Sequence, residues 1–331
     1  MSRRNHFDSY TGWGRVPITP ASSTDQTELK QEPTIDSPAD ASVESIEPSE
    51  IFPNPISEPE TKTETEPKPA SIQPGSPAGK LSRRALPKGM DTKSILRVDG
   101  VSKSFKSGAQ IIWAIQKASF EIPKGSLTAI IGPNGSGKST LLSLMAGLFR
   151  PDEGDVIFRH PRHDLISLFG SGQALMSEIR NCQINMIFQN LNLISHLRVW
   201  RNVALPLILR GISWRKAWPS AQYWLDKFEL LDKANVLPSQ LSGGQQQRLA
   251  ICRAMVANVD LILADEPTAR LDKTGTTYLM ESFKKITKQT GRTIVLVTHD
   301  HGLVREYCDY YLECRKSEQG NEVSSLMISK K

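Results

Sequence analysis

The chain has 331 residues, and its 41 Lys and Arg against 35 Asp and Glu give a formal net charge of +6. This length is enough for one to three domains. No apolar run reaches the roughly 20 residues that a membrane-spanning helix needs, and the first residues lack the apolar segment of a secretory signal. The four cysteines form no Cys-x-x-Cys pair, so the sequence favours a cytoplasmic protein with reduced thiols.

The first 92 residues differ in composition from the rest of the chain. Thirteen of the 21 prolines lie at positions 17–87, and residues 21–70 carry twelve acidic side chains against three lysines. Such a stretch buries too little apolar surface to offset the entropy of the chain, which predicts a disordered region over residues 1–92. Near its start, Phe7, Tyr10 and Trp13 form a candidate docking motif for an unidentified protein.

Residues 132–140 read GPNGSGKST and fit the phosphate-binding loop G-x-x-x-x-G-K-[ST]. The apolar run SLTAII precedes the loop as a predicted strand, and TLLSLMAGLF follows it as a predicted buried helix. Backbone N–H groups would surround the phosphates, Lys138 would contact the β- and γ-phosphates, and Ser139 would bind Mg²⁺. The residues expected to bind the nucleotide here are Gly132, Pro133, Asn134, Gly135, Ser136, Gly137, Lys138, Ser139 and Thr140.

Two further apolar runs end in polar side chains that suit the same chemistry. LILADEP at 261–267 predicts a buried strand that ends in Asp265 and Glu266. Asp265 is the expected Mg²⁺ anchor, and Glu266 is placed to polarise the water that attacks the γ-phosphate. RTIVLVT at 292–298 predicts a second strand, which leads to His299 as a sensor of the γ-phosphate.

Together these motifs resemble the ATP-binding cassette (ABC) ATPases, over about residues 95–313. The chain also carries, in the order of that family, Phe105 where an aromatic ring stacks on adenine, Gln189 in MIFQN, the signature LSGGQ at 241–245 and Asp272 in ARLD. The resemblance implies that Gln189 serves both catalysis and Mg²⁺ binding, and that Asp272 belongs to the ATP site. Phe105 stands where Tyr is commoner, which keeps the aromatic face and loses the hydroxyl.

The signature has its own physical basis. Ser242 is a good N-cap residue for a predicted helix at 243–255, whose N-terminus offers N–H groups to an anion. The resemblance implies that this second anion site binds ATP held by another chain, so that two copies pack head to tail around two ATP. The residues assigned to it are Ser242, Gly243, Gly244 and Gln245.

The core alternates strand and helix patterns, which predicts a parallel sheet with flanking helices. The resemblance implies an α/β P-loop NTPase fold of the ABC ATPase type, with a RecA-like parallel sheet core, an antiparallel β subdomain and a helical subdomain at about 189–257. We expect this domain over residues 93–315 and a flexible tail over 316–331. Within the helical part, the sequence predicts breaks at Pro206, Gly211, Pro219 and Pro238.

The resemblance leaves three classes of function: the motor subunit of a transporter, a soluble ABC protein and an inactive binding module. An inactive binding module is excluded because the chain has all four side chains that the reaction needs: Lys138, Asp265, Glu266 and His299. Soluble translation factors usually carry two cassettes, and chromosome-associated ATPases insert a long coiled coil where this chain has about 100 residues. Residues 188–211 and LADEPT resemble the lipoprotein-release, macrolide-export, heterocyst-glycolipid-export and cell-division branch, with an amino-acid importer as the alternative.

The resemblance implies that ATP and Mg²⁺ are the cofactors. It also implies that a membrane permease and a second copy of the chain are partners, and that nucleic acid is not a partner. It places the chain on the cytoplasmic face of the inner membrane. Four of the six tryptophans lie within 25 residues of the helical part. We expect Trp224 in the core and predict that Trp214 or Trp218 is exposed and covered by the permease, with Pro219 in the first turn of a helix.

Overall fold

The computed structural model describes residues 90–108, 110–317, 321–323 and 327–328. Most of the region predicted to be disordered, with the motif at Phe7, Tyr10 and Trp13, lies outside the described residues. In chain order the elements are β1 (Ser94–Ser107), β2 (Gln110–Pro123), β3 (Leu127–Ile131), α1 (Lys138–Met145), β4 (Glu153–His160), β5 (Asp164–Ser167), α2 (Gln173–Cys182), β6 (Ile184–Ile187), α3 (Val199–Leu209), α4 (Trp214–Lys227), α5 (Gly243–Val256), β7 (Leu261–Asp265), α6 (Lys273–Thr290), β8 (Thr293–Val297), α7 (His301–Tyr307), β9 (Tyr310–Arg315), β10 (Glu322–Val323) and β11 (Met327–Ile328).

The larger sheet has a parallel centre in the order β9-β3-β8-β7-β6. Every residue of β3, β7 and β8 is buried. Continuous apolar runs suit such strands because helices cover both faces of a parallel sheet. The three predicted strands are therefore confirmed, with ends one residue shorter where Ser126, Arg292 and Thr298 leave the sheet.

The smaller sheet is antiparallel and has the order β2-β1-β4-β5. Cross-strand pairs such as Leu96 with Phe158 and Val98 with Val156 put apolar side chains on one buried face. This face packs with α1 and the neighbouring side of the parallel sheet in one apolar cluster. The mixed α/β architecture with an antiparallel subdomain agrees with the fold that the sequence predicts.

Three helices, α3, α4 and α5, lie between β6 and β7 in the chain. Their inner faces join the other side of the parallel sheet in a second apolar cluster. Trp224 belongs to this cluster and is only 3% exposed, so its predicted place in the core is confirmed. No helix of the described part of the chain is long and apolar enough to cross a bilayer.

Two of the predicted helix breaks are wrong, because Pro206 lies inside α3 and Pro219 inside α4. Helix α4 begins at Trp214, so Pro219 is not in its first turn. Each proline removes one backbone hydrogen bond inside its helix, Pro206 in the later part of α3 and Pro219 near the middle of α4. Buried neighbours on both sides of each proline, Val203 with Leu207 and Ala217 with Ala221, hold the helices together.

Two short strands lie in the segment 316–331, for which the sequence predicts a flexible tail. The strands β10 and β11 both pair with β9 in the antiparallel sense. The backbone N–H of Gln116 in β2 donates to the carbonyl of Asn321 at 2.9 Å. The described residues of this segment are therefore part of the sheet edges, which the sequence does not indicate because each strand has only two residues.

Residues just before the predicted boundary at residue 93 contact the domain. Met90 is 8% exposed, and the carbonyl of Asp91 accepts hydrogen bonds from Arg159 at 3.2 Å and from the backbone N–H of Ser94 at 2.9 Å. A chain that starts at Ser94 loses these contacts.

We therefore expect a chain that begins at Lys88 to hydrolyse ATP like the full chain, because every motif follows that point. A chain that begins at Ser94 should unfold at a temperature lower by about 3–12 °C, since burying one Met side chain contributes roughly 1.5–3 kcal/mol. Thermal unfolding of the two truncated chains checks this. Equal unfolding temperatures would show that residues 88–93 contribute nothing.

Candidate nucleotide-binding site

The loop of residues 132–137 joins the end of β3 to the beginning of α1. Its backbone has left-handed or related conformations at Gly132 (φ 143°), Gly135 (φ 76°) and Gly137 (φ 87°). A Cβ atom at Gly137 would lie 2.2 Å from the carbonyl oxygen of Ala114, and one at Gly132 would lie 2.2 Å from that of Cys314. Only glycine fits these two positions, so the loop shape follows directly from the sequence pattern.

The loop presents the groups that bind phosphate. The Lys138 Nζ atom donates to the carbonyl oxygens of Gly132 at 3.0 Å and Pro133 at 2.9 Å, so its charge lies over the loop. The Ser136 hydroxyl is buried and has no hydrogen-bond partner among the described residues. A lysine amine over the loop, a hydroxyl without a partner among the described residues and the N-terminus of α1 fit the β- and γ-phosphates of a nucleotide.

A pair of oxygen ligands lies beside the loop. The Ser139 hydroxyl donates to Asp265 Oδ1 at 3.1 Å. Asp265 is 6% exposed, and burial raises the pKa of its carboxyl above the usual value, with the charge of Glu266 acting in the same direction. The Ser139 hydrogen bond and Lys138 oppose this shift. Hydroxyl and carboxylate oxygens are the ligands that Mg²⁺ prefers, so this pair fits the predicted metal site.

Glu266, Gln189 and His299 meet at the same edge of the sheet. Gln189 Nε2 donates to Glu266 Oε2 at 3.3 Å, and His299 Nδ1 lies 3.9 Å from Glu266 Oε1. They follow β6, β7 and β8, which are adjacent parallel strands and therefore end at one edge. Glu266 adopts a left-handed conformation with φ 49°, uncommon for a residue other than glycine. This turn directs the carboxylate toward Gln189 and His299, where a water molecule can lose its proton.

Phe105 lies on β1 and is 40% exposed. The edge of its ring meets Phe149 with centroids 5.8 Å apart, and the Lys103 amine lies 5.7 Å from its centroid. Lys103 is held in turn by Asp152 at 2.8 Å. The exposed ring offers a face on which a base can stack, as the sequence predicts.

The signature lies at the beginning of α5. The Ser242 hydroxyl accepts from the Gln245 N–H at 3.3 Å, and the Gln245 side chain accepts from the Ser242 N–H at 2.9 Å. This reciprocal capping box fixes the N-terminus of the helix. Asp272 caps α6 in the same way through a 2.8 Å bond from the Gly275 N–H. A Cβ atom at Gly244 would lie 3.2 Å from the carbonyl oxygen of Arg270, so the signature adjoins the loop that ends in Asp272.

The predicted site residues therefore form two groups. The phosphate loop, Asp265, Glu266, His299 and Gln189 are joined by the contacts given above. Among the described residues, the hydrogen bonds of residues 242–245 stay within the helical part. One chain brings the phosphate-loop residues 132–140 together around its own site and leaves Ser242 and Gly243 of the signature exposed.

Sequence reasoning missed two residues that support the site. Asn321 Nδ2 donates to the carbonyl of Gly135 at 3.0 Å and to that of Ala114 at 3.1 Å, which ties the phosphate loop to the end of the chain. Phe149 supports Phe105 from the residues after α1. Asn321 lies in the predicted tail and Phe149 at the end of a predicted helix, and neither position in the sequence indicates a contact with the site.

The chain was then compared with known proteins. The ABC transporter family profile matches residues 115–269. MJ0796 of Methanocaldococcus jannaschii, described as an uncharacterized ABC transporter ATP-binding protein, is 39% identical over 215 residues, which are 64% of this chain and 89% of that protein. The lipoprotein-releasing system ATP-binding protein LolD of Koribacter versatilis is 35% identical over 209 residues, 63% of this chain and 91% of LolD.

The solved dimeric structure of MJ0796, a bacterial ABC transporter cassette, superposes with a TM-score of 0.65 at 35% identity, covering 72% of this chain and all of that one. The methionine import ATP-binding protein MetN of Corynebacterium jeikeium is 40% identical over 209 residues, but these are 63% of this chain and only 55% of MetN. The family motifs, the fold and the near-complete coverage of two relatives agree. The chain belongs to the ATP-binding proteins of the ABC transporter family.

Proposed function

We propose that this chain is the ATP-hydrolysing subunit that drives a membrane permease of the export or lipid-extraction type. The observation that carries the proposal is the network at the sheet edge, in which Glu266 is held between Gln189 and His299 beside the loop of Lys138. A carboxylate positioned beyond a phosphate loop is suited to activating water, and a binding module without turnover has no need of it.

Each residue has a distinct role in this proposal. The Lys138 amine exchanges the carbonyls of Gly132 and Pro133 for the β- and γ-phosphates of ATP. Glu266 accepts the proton of the attacking water, while His299 and Gln189 orient the water and the γ-phosphate. Ser139, Asp265 and Gln189 would hold Mg²⁺, which when bound offsets the negative charge of the phosphates.

The separate signature leads to the second part of the proposal, a head-to-tail dimer around two ATP. The N-terminus of α5 offers anion-binding groups that its own chain does not use. The ATP held by the phosphate loop of a second copy would supply the phosphates that these groups bind. Each complete site then combines the signature of one copy with the phosphate loop of the other. The solved structures of MJ0796 are described as dimeric, one of them in a post-hydrolysis state bound to ADP and Pi, which supports this arrangement.

Mixing two inactive variants tests the dimer. Lys138→Ala removes the phosphate contact, and Ser242→Glu places a negative charge where the γ-phosphate would lie, so each variant alone should lose nearly all ATPase activity. In an equimolar mixture half of the dimers contain one intact site, which should restore about a quarter of the wild-type rate.

The control is the double variant Lys138→Ala with Ser242→Glu. Mixed with either single variant, it offers no intact site, so activity should stay at background. Phosphate release measured in the three mixtures gives the answer. A mixture of the two single variants that remains inactive would contradict the shared site, as would either single variant that retains activity alone.

The permease is proposed to dock in a cleft between the helical part and the parallel sheet. The cleft has a volume of about 280 Å³ and is lined by Phe188, Leu205, Leu209 and Arg253, among others. Leu209 is 68% exposed and lies beside Leu205 and Phe188 in the lining of the cleft, so a docked protein would cover its apolar surface. A short helix from the cytoplasmic side of a permease fits such a cleft, which would place the chain on the cytoplasmic face of the inner membrane.

Two transport classes compete for the finer assignment. Near-complete coverage of LolD supports lipoprotein or lipid extraction, and the 40% identity with MetN supports an amino-acid importer as the alternative. The two differ in what stimulates the complex. Purified with the permease encoded beside it, the subunit should hydrolyse ATP faster with an amphiphilic cargo in the first case, and with a substrate-binding protein in the second.

A further inference from the structure

The helical part has an unusual charge pattern. Residues 179–225 contain no Asp or Glu and six basic side chains. Two of these have hydrogen-bond partners: Arg180, which is also exposed, donates to the carbonyl of Gly147, and Arg210 donates to those of Asn181 and Ala257. The other four are exposed, at the beginnings of α3 and α4: Arg198, Arg201, Arg215 and Lys216.

None of these four cations takes part in an ion pair among the described residues. The ion pairs of the described residues lie elsewhere in the domain. The first acidic residue after them in the chain is Asp226, at the far end of α4. A surface of this kind has a positive potential that an anionic partner would neutralise.

Three half-buried tryptophans lie among the cations. The ring of Trp200 meets those of Trp214 and Trp218 edge to face, with centroids 5.6 Å and 5.3 Å apart. The Arg201 guanidinium lies 5.5 Å from the Trp200 centroid and 5.6 Å from that of Trp214. We call the four cations and these three tryptophans the basic aromatic face.

We propose that the basic aromatic face binds the anionic headgroups of phospholipids directly. Tryptophan combines an apolar ring with a polar N–H and is enriched at the interface between membrane and water. Each Lys or Arg near an anionic membrane surface adds to the attraction, and none of the four cations of this face forms an ion pair within the part of the chain that the structure describes. Lipid headgroups therefore fit this face better than the permease contact that the sequence suggested for Trp214 and Trp218.

This inference goes beyond the proposed function because it needs neither a permease nor ATP. The cleft that suits the permease is separate and is lined by the later part of α3. The subunit would then contact the membrane through its own side chains next to the permease. Failure of this inference would leave the ATPase and the dimer tests untouched.

Flotation of the full chain with vesicles tests the proposal. We expect binding to vesicles that contain phosphatidylglycerol, little binding to phosphatidylcholine alone, and release by salt. Arg201→Glu with Arg215→Glu should lower the affinity for phosphatidylglycerol vesicles by at least about tenfold, because reversing two charges changes the net charge of the face by about four units. Basal ATPase activity should not change, since neither residue touches the nucleotide site.

The matched control is Lys285→Glu with Lys288→Glu on the exposed side of α6, which changes the net charge equally. It also keeps the same N-terminal region, so any contribution of that region to binding cancels. This variant should bind vesicles like the wild type. Equal losses in both variants would show that net charge alone governs binding and would overturn the proposal.

A second measurement reports on the tryptophans. Phosphatidylglycerol with brominated acyl chains should quench the fluorescence of the wild type, and Trp214→Phe with Trp218→Phe should reduce that quenching. Unchanged quenching in this variant would overturn the contact. If the Arg201 and Arg215 variant binds vesicles normally but no longer binds the permease, the face is a protein contact and the lipid proposal is wrong.

Discussion

Glu266→Gln is expected to lower the rate of ATP hydrolysis by at least about 100-fold while ATP binding is retained. The carboxylate is the base that accepts the proton of the attacking water, and an amide has no such basicity. The phosphate loop and the Ser139–Asp265 pair remain intact, and the amide can still hydrogen-bond to Gln189, which lies 3.3 Å away. The variant should therefore bind ATP and stay bound, accumulating as an ATP-bound dimer.

Phosphate release, nucleotide binding and gel filtration with and without ATP measure the three parts of this expectation. Glu281→Gln is the control, because Glu281 lies on the exposed side of α6, away from the site. It should hydrolyse ATP at the wild-type rate. If the Glu266 variant retains a rate within about threefold of the wild type, Glu266 is not the base and the assigned roles are wrong.

The parts of the fold that were predicted well are those in which local pattern and tertiary environment agree. The strands β3, β7 and β8 are short apolar runs that stay buried on both faces, so their pattern needs no knowledge of their neighbours. The glycines of the phosphate loop are equally local, since each has a backbone shape or a close neighbour that excludes a side chain. The places of Glu266 and His299 could be predicted as well, because these residues come shortly after β7 and β8 in the chain.

The errors arise where packing overrides a local preference. Pro206 and Pro219 predict breaks, but burial of the helix faces around them outweighs the loss of one hydrogen bond each. The contact of Asn321 with the phosphate loop joins residues that are 186 positions apart, a distance at which no sequence pattern operates. The tryptophan cluster is similar: its spacing was visible, but the meeting of α3 and α4 that assembles it was not.

Asp265→Asn should abolish Mg²⁺-dependent hydrolysis and at the same time make the nucleotide-free chain more stable. Asp265 is buried beside Glu266, and both effects raise the pKa of its carboxyl, so the charged form is costly to fold. The asparagine Oδ1 can still accept the 3.1 Å hydrogen bond from Ser139, and no charge remains to be buried. The loss of activity follows because a neutral amide is a weak ligand for a divalent cation.

The pH dependence of this stabilisation has a definite sign. Because the folded pKa of Asp265 lies above its unfolded value of about 3.8, the folded state binds the proton more tightly than the unfolded state. The cost of the charge is therefore absent below the unfolded pKa, grows as pH rises through the folded pKa, and is complete above the folded pKa. Thermal unfolding of the wild type and the variant, without nucleotide, should differ most at neutral pH and converge toward pH 4. Asp232→Asn, at an exposed position, should show no such trend. A stability difference that is independent of pH would show that the Asp265 charge does not destabilise the folded state. A variant that still hydrolyses ATP with Mg²⁺ would show that Asp265 is not a metal ligand.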